Sequence, residues 1–462
     1  MTSFDDAYLI STAPAALEDG PDGTRQADAR SAAWTHAERQ GFHELRGDAA
    51  SVTRGIERSA ADGRQLTAVL PREPRPGSLA ADGVPVGTFA AFTKTLNVGG
   101  GHLVPAHLVA GVTVQAPHRR RGILRRMMTD DLARAAAEGH VVAALTASEA
   151  TIYRRFGFGC AMRERTVTVD RTAPVGLLAT PSGSTELVDP RTLGGLAREV
   201  FARFHAANPG SIDRHEGTWS AVTGVGSTAD GSDDEGVRAA VHVAGPGDVA
   251  GHGTSAPAGE VDGYVTWRTA EVPVGSTEAP AGRQLQVIDL VAATDEAYLG
   301  LWDLLLSIDL VTSVQYPNAR LDDPLQLAVT NGRAIRVTDE EDHVWFRLLD
   351  LPAAFEARPY PADGSVTLRV HDALGHGEGT WRLTSAGGAG RLERVADAGE
   401  VGTASGPDLS LDVADLGALW LGGVDPVTLR QAGLLGEHRA GAAAELRALL
   451  RPERQLHGIT YF

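Results

Sequence analysis

One stretch of this chain leaves little freedom in how it folds: Ala110-Gly111-Val112-Thr113-Val114-Gln115-Ala116-Pro117-His118-Arg119-Arg120-Arg121-Gly122-Ile123-Leu124-Arg125. It reads as strand, loop, helix. Val112 and Val114 end a strand, and Pro117, lacking an N–H, stops the hydrogen-bond ladder. Ile123, Leu124, Met127, Met128 and Leu132 then recur at helical spacing. Gly122 marks the junction, where a residue without Cβ lets backbone come close to a ligand. The first helical turn has unpaired N–H groups and the positive end of the helix dipole, and Arg119, Arg120, Arg121 and Arg125 add charge. A pyrophosphate suits that junction. A P-loop would require Gly-Lys-Ser/Thr and a dinucleotide fold three spaced glycines, and neither is present.

The arrangement resembles the GNAT acetyltransferase pattern, Arg/Gln-x-x-Gly-x-Gly/Ala after a strand, with Leu124 departing from the usual small residue. Downstream, His140 to Ala147 is a strand-like apolar run, followed by Ser148-Glu149 and then Thr151-Ile152-Tyr153-Arg154-Arg155-Phe156-Gly157-Phe158. A Tyr153 phenol of pKa about 10 lies near an alkyl thiol of about 8.5 and could protonate a departing thiolate. By itself it would read as an amphipathic packing residue with its hydroxyl hydrogen-bonded; beside the phosphate loop it reads as catalytic. Ser148 could cap the short helix that follows it.

Taken together, Val-x-Val-x-x-Pro-His-Arg-Arg-Arg-Gly-Ile-Leu, Ala-Ser-Glu-x-x-Ile-Tyr-x-Arg-Phe-Gly-Phe-Gly and Phe-Ala-Arg-Phe-His resemble the Eis (enhanced intracellular survival) N-acetyltransferases from about residue 31 onward. The resemblance implies a mixed α/β (α+β) chain: an active GNAT domain, a degenerate GNAT-like domain and a sterol-carrier-protein-like domain, assembled as homohexamers. It implies acetyl-CoA as co-substrate, contacted by Val112, Thr113, Val114, Arg120, Arg121, Gly122, Ile123, Leu124, Arg125, Ser148 and Glu149. Tyr153 would be the general acid and the carboxylate of Phe462 the base. Against a free ammonium of pKa near 10, a carboxylate of about 3.3 faces roughly 9 kcal/mol. It therefore works only if burial raises it, or if it takes the more acidic proton formed after attack. The acceptor would be a primary amine: an aminoglycoside, a polyamine or a lysine side chain.

At about 150 residues per domain, 462 residues suggest three units. Composition places them at 31–172 (catalytic), 173–340 (degenerate) and 341–462 (C-terminal), after a flexible leader at 1–30 that has acidic residues but no signal-peptide pattern. In the second unit, Arg191 to Ala207 reads as a helix and Gly224 to Asp262 as a mobile surface insertion. There Leu285 to Val291 repeats the strand, loop, helix plan, but Thr294-Asp295-Glu296 replaces the basic loop with a Thr cap and carboxylates. Such a junction repels a pyrophosphate, so this copy should bind no acetyl-CoA and instead wall the cleft or build the oligomer. The C-terminal unit begins with the strand Val344 to Leu349 and holds helices near Val427 to Leu435 and Ala442 to Leu450.

A net charge of −17 disfavours nucleic-acid binding despite the arginine cluster. The single cysteine, Cys160, fits a cytoplasmic setting and excludes multi-cysteine metal sites. His102, His205, His371 and His376 lack metal-ligand spacing, and no apolar run is long enough to span a membrane. The competing reading is a non-catalytic carrier of apolar ligands through the last domain.

Overall fold

The computed structural model describes every residue except 1–3, 21–22, 74–78, 80–82, 247–255 and 396–405. The first sheet begins with β1 (Tyr8–Pro14), β2 (Gln65–Pro71), β3 (Gly87–Asn97), β4 (Leu103–Val114), β5 (Val142–Thr146) and the short β6 (Gly159–Cys160). The chain then crosses to a second sheet through β7 (Arg163–Asp170), β8 (Ser184–Val188), β9 (Arg238–Val243), β10 (Val261–Val272), β11 (Gly282–Ala292), β12 (Ser313–Ala319) and β13 (Ile335–Asp342). β14 (Val344–Leu348) returns to the first sheet, between β5 and β6. β15 (Gly364–His371), β16 (Gly379–Ala386), β17 (Ala389–Val395), β18 (Leu409–Asp412) and β19 (Leu435–Glu437) form a third sheet, in the order β17-β16-β15-β18-β19.

Helices cover both faces of the first sheet. α1 (Ala29–Gly41) and α2 (Ala49–Ala61) bury Trp34 and Ile56 against Leu66, Ala68 and Ala90. On the other face, α3 (Ile123–Ala137) packs Ile123, Met127, Met128 and Leu132 against Phe89, Ala91, Val109, Ala143 and Leu145. This is the apolar stripe expected from its spacing. The second sheet carries α4 (Gly194–Ala207), α5 (Glu216–Thr223) and α6 (Asp295–Ser307).

The strands that form the site do not stay paired. β4 and β5 run parallel and pair only at Ala106 with Val142, His107 with Ala143 and Leu108 with Ala144. Beyond Leu108 they diverge. Gly111 of β4 adopts a left-handed φ of 58°, facing a register shift between Thr88 and Ala90 of β3. A bulge of this kind bends one strand away from its neighbour.

Several sequence expectations change. The leader is not free: β1 pairs antiparallel with β2 from Tyr8 opposite Pro71 to Pro14 opposite Gln65. The alternation in Tyr8-Leu9-Ile10-Ser11 was masked by the acidic residues around it. The boundary at 172 misplaces β7, which lies between β12 and β13 in the second sheet, and the boundary at 341 misplaces β14. Strand type can be read from local pattern, but partner choice depends on contacts far away in sequence. The segment 224–262 is not simply an insertion, because β9 lies inside the second sheet with Ala239, Ala240, Val241 and His242 buried; residues 247–255 lie outside the described residues. The helix read from Arg191 starts at Gly194, after a turn over Pro190–Thr192. The helix read over Val427 to Leu435 ends at Gln431, and Leu435 begins β19. No helix among the described residues is long and apolar enough to cross a membrane.

Candidate active site

At the wide end of the opening between β4 and β5, Gly122 stands before α3 with a left-handed φ of 84°. A Cβ there would meet nothing within 4 Å, so the space above it is open. Arg120 is also left-handed, at φ 60°. Among the described residues the backbone N–H groups of Arg120, Arg121, Gly122, Ile123, Leu124 and Arg125 donate no hydrogen bond; the first helical bond runs from Arg126 N to Gly122 O. The side chains of Arg120, Arg121 and Arg125 are exposed. Ile123 is buried in the core beneath, so it could meet a ligand only through backbone, and the half-buried Leu124 packs against that core. Arg126 is already engaged by Asp130 at 2.6 Å and by Asp5 at 3.4 Å.

The first strand reaches this loop, which the sequence reading missed. Tyr8 Oη lies 3.0 Å from His118 Nδ1 and accepts from Arg121 Nη1 at 3.4 Å. Along β4, Val112 and Val114 are half-buried, while Thr113 is buried with its hydroxyl 2.6 Å from that of Thr88.

Past β5, Ser148 and Glu149 are exposed at the start of a short turn over Ala150–Ile152. Ser148 is not its cap. Glu149 holds that position without a side-chain cap bond, and accepts instead from Thr151 Oγ1 at 3.2 Å. Tyr153 is 5% exposed, packs edge-on to Phe158, and its hydroxyl makes no hydrogen bond among the described residues. Burial, with help from the Glu149 charge, pushes the Tyr153 phenol up to about 12. It is therefore protonated at neutral pH. The near match with a thiol expected from the sequence is lost: full transfer to a free thiolate of about 8.5 is uphill by about 5 kcal/mol. The turn is held by Arg154, whose guanidinium grips Asp415 of the C-terminal unit at 2.7 and 2.6 Å.

The last residues dock on the opposite face of the sheet. Thr460 Oγ1 donates to Ile212 O at 2.8 Å, Ile459 is buried, and Thr146 Oγ1, at the tip of β5, donates to Phe462 O at 2.7 Å. The Phe462 ring meets Phe92 edge-on at 6.3 Å, and Phe92 meets His215 at 6.2 Å. Burial, then the nearby Arg64 charge, pulls the His215 imidazole down to about 4, so it is neutral. It faces Tyr461 O at 2.9 Å.

Beside this tail lies a cavity of about 390 Å³ between α1, α2 and the start of α5, lined by Trp34, Glu38, Asp62, Arg64 and His215 among others. Sequence reasoning passed over it. The signal available was Trp34-x-x-x-Glu38, one turn apart on a helix, which shows amphipathicity but not what it faces. Glu38 adjoins the bulge, with Oε1 3.0 Å from where a Cβ on Gly111 would stand. Burial pushes its carboxyl up to about 7, against the opposing charge of Arg64.

In the second sheet β11 and β12 likewise pair in parallel over only three residues, Gln284 to Gln286, the same divergence repeated. Its helix is closed as the sequence implied: Thr294 Oγ1 accepts from Ala297 N at 3.0 Å, and Asp295 meets Arg454 at 3.4 Å. No group of three metal-binding side chains comes together among the described residues.

Two parallel strands splayed around a bulge, with an amide-lined loop leading into a helix, define the class: an acetyltransferase of the GNAT type, whose members use acetyl-CoA as co-substrate. Residues 52–161 match an acetyltransferase (GNAT) domain family, residues 210–348 a second acetyltransferase (GNAT) domain family and residues 351–457 the sterol carrier protein domain. An uncharacterized N-acetyltransferase of Streptomyces avermitilis is 37% identical over 79% of this chain and 83% of its own. N-acetyltransferase Eis of Mycobacterium tuberculosis is 32% identical over 68% of this chain and 74% of its own. The crystal structure of Eis1 from Mycobacterium abscessus superposes with a TM-score of 0.71 at 28% identity, covering 98% of this chain and 100% of that one. The chain belongs to the Eis family of GNAT N-acetyltransferases.

Proposed function

We infer that the protein transfers the acetyl group of acetyl-CoA to a primary amine by direct attack on the thioester. The observation that carries this reading is the gap between β4 and β5, bounded at one end by the amides of residues 120–125, which have no partner among the described residues, and approached from opposite faces of the sheet by Tyr153 and Phe462. In this reading the pyrophosphate rests on the backbone of Arg120, Arg121, Gly122, Ile123, Leu124 and Arg125. Val112, Thr113 and Val114 line the path of the pantetheine, and Ser148 and Glu149 flank it across the gap. The amine approaches through the cavity beside Glu38 and Trp34.

The chemistry then balances within the chain. The neutral nitrogen attacks the acyl carbon, a C–N bond forms, and the C–S bond breaks with its electron pair leaving on sulfur. Tyr153 hydrogen-bonds that thiolate, and the Phe462 carboxylate takes the proton that nitrogen sheds after attack. The second unit supplies a wall of the acceptor cavity through His215 and Gly217. The homohexamer of the resemblance is kept as part of this reading, and sedimentation should return six chains. In the C-terminal unit Leu368, Leu383, Leu416, Trp420 and Leu446 pack into a buried core.

The test is release of free thiol from acetyl-CoA with a panel of amines. Tyr153→Phe should lower kcat by about a hundredfold or more and leave acetyl-CoA affinity near wild type. A chain lengthened beyond Phe462 should lose turnover. Unchanged turnover would dismiss the carboxylate as base, and absence of acetyl-CoA binding would dismiss the enzyme reading altogether.

A further inference from the structure

The acceptor cavity carries charge of both signs, and most of it is already committed. Asp62 is buried, pairs with Lys94 Nζ at 2.9 Å and accepts from Glu216 N at 3.1 Å. Arg39 donates to Arg46 O and Ser51 Oγ, Arg58 donates to Gly226 O, and Glu44 is exposed to solvent. Trp34 spends its indole N–H on Thr67 O and offers the cavity only its ring.

Three groups are left over. The Glu38 carboxylate accepts no hydrogen bond among the described residues, although it lines the cavity. Arg64 has a buried Nε without a hydrogen-bond partner; its guanidinium lies 4.2 Å from the centre of the Phe92 ring, and its nearest carboxylate, Asp62, is 3.9 Å away. His215 Nδ1 is buried and unpartnered. Because Nε2 of His215 faces a carbonyl, which can only accept, Nε2 carries the hydrogen and Nδ1 presents a lone pair. Glu38 and Arg64 feel each other's charge yet form no ion pair within 4.0 Å. Buried polar groups are as a rule hydrogen-bonded, so the unmet Nε of Arg64 and Nδ1 of His215, beside the half-buried Glu38 carboxylate, call for a ligand with complementary groups.

The bare groups narrow the ligand further. A polycation would set more positive charge against Arg64, and a simple alkylamine would leave Arg64 unmet. Glu38 is the group beside the bulge of β4, so the reacting nitrogen belongs at its end of the cavity. Resting on the reading of the site as an amine acetyltransferase, we propose that the acceptor is a primary amine that also carries a carboxylate, of amino-acid type, bound with its amino group neutral and donating N–H to Glu38 and His215 Nδ1 and with its carboxylate on Arg64.

Matched amines test this directly. Lysine against cadaverine, and 6-aminohexanoate against pentylamine, differ only in the carboxylate. In the full-length protein, kcat/KM should favour the carboxylate-bearing member of each pair by about tenfold or more. Arg64→Gln should bring that ratio to about one, Arg64→Lys should keep part of it, and Glu38→Gln should raise KM for both members. Melting curves of each variant show whether it is folded, and Arg64→Lys keeps the charge if Arg64→Gln does not fold. A ratio at or below one in the wild type, or an equal effect of Arg64→Gln on both members, overturns the proposal. Acetyl-CoA calorimetry run beside it separates the two readings. Preference for decarboxylated or polycationic amines removes only the acceptor class, whereas no binding and no thiol release with any amine removes the enzyme.

Discussion

Burial displaces Glu38 and Tyr153 in the same direction, with different consequences for each. The fold favours the protonated Glu38, held up to about 7 by burial while Arg64 and Arg39 pull down and Glu44 pushes up. That contribution to stability is complete below the ordinary carboxylate range and is lost as pH rises through 7. Glu38→Gln keeps the neutral form at every pH. It should therefore match the wild-type melting temperature near pH 5 and exceed it near pH 8.5, which a pair of thermal scans would decide. Tyr153, at about 12, has no ionisation to offer in the working range, so an alkaline fall in turnover below about pH 11 would have to come from another group. The motif singles out Tyr153 as a candidate, but the upward displacement of its phenol could not be read there, because desolvation depends on Phe158 and the buried cluster around it.

The loop before α3 and the turn after β5 act as units, and each can be probed by one residue. Gly122→Ala meets no steric neighbour but forces a left-handed φ of 84° on a residue with a Cβ, costing about 1–2 kcal/mol and tilting the amides of the first turn. Acetyl-CoA affinity by calorimetry should fall about tenfold or more. Asp415→Ala removes both bonds that hold Arg154, so the Tyr153 turn should loosen, with kcat falling more than acetyl-CoA affinity. The basic loop could be read from sequence because Pro117, Gly122 and the apolar periodicity are local signals. The Asp415 anchor could not, since it lies 261 positions from its partner. The cavity beside Glu38 was hidden for the same reason: Trp34 and Glu38 come from one unit and His215 from another.

Three units were legible from composition, but their seams were not, because the chain exchanges strands between sheets. β7 leaves the first unit for the second sheet, and β14 returns after the second unit is complete. A chain ending at residue 172 would strip β5 of its partner β14, as well as the Arg347 guanidinium that pairs with Asp372 in the buried seam to the C-terminal unit. Such a chain should show no cooperative thermal transition, which calorimetry would reveal. The second unit has its own internal tie, Arg214 bound to Asp289 at 2.7 Å with both side chains buried, and the next residue, His215, steadies the docked tail. The exchange of strands also has a consequence on the ribosome. The amino-terminal sheet cannot close until residue 348 has emerged, so at about 5–20 residues per second the nascent chain waits on the order of 10–40 seconds after its sixth strand with an apolar edge unfilled. Chaperone occupancy during translation should peak in that window.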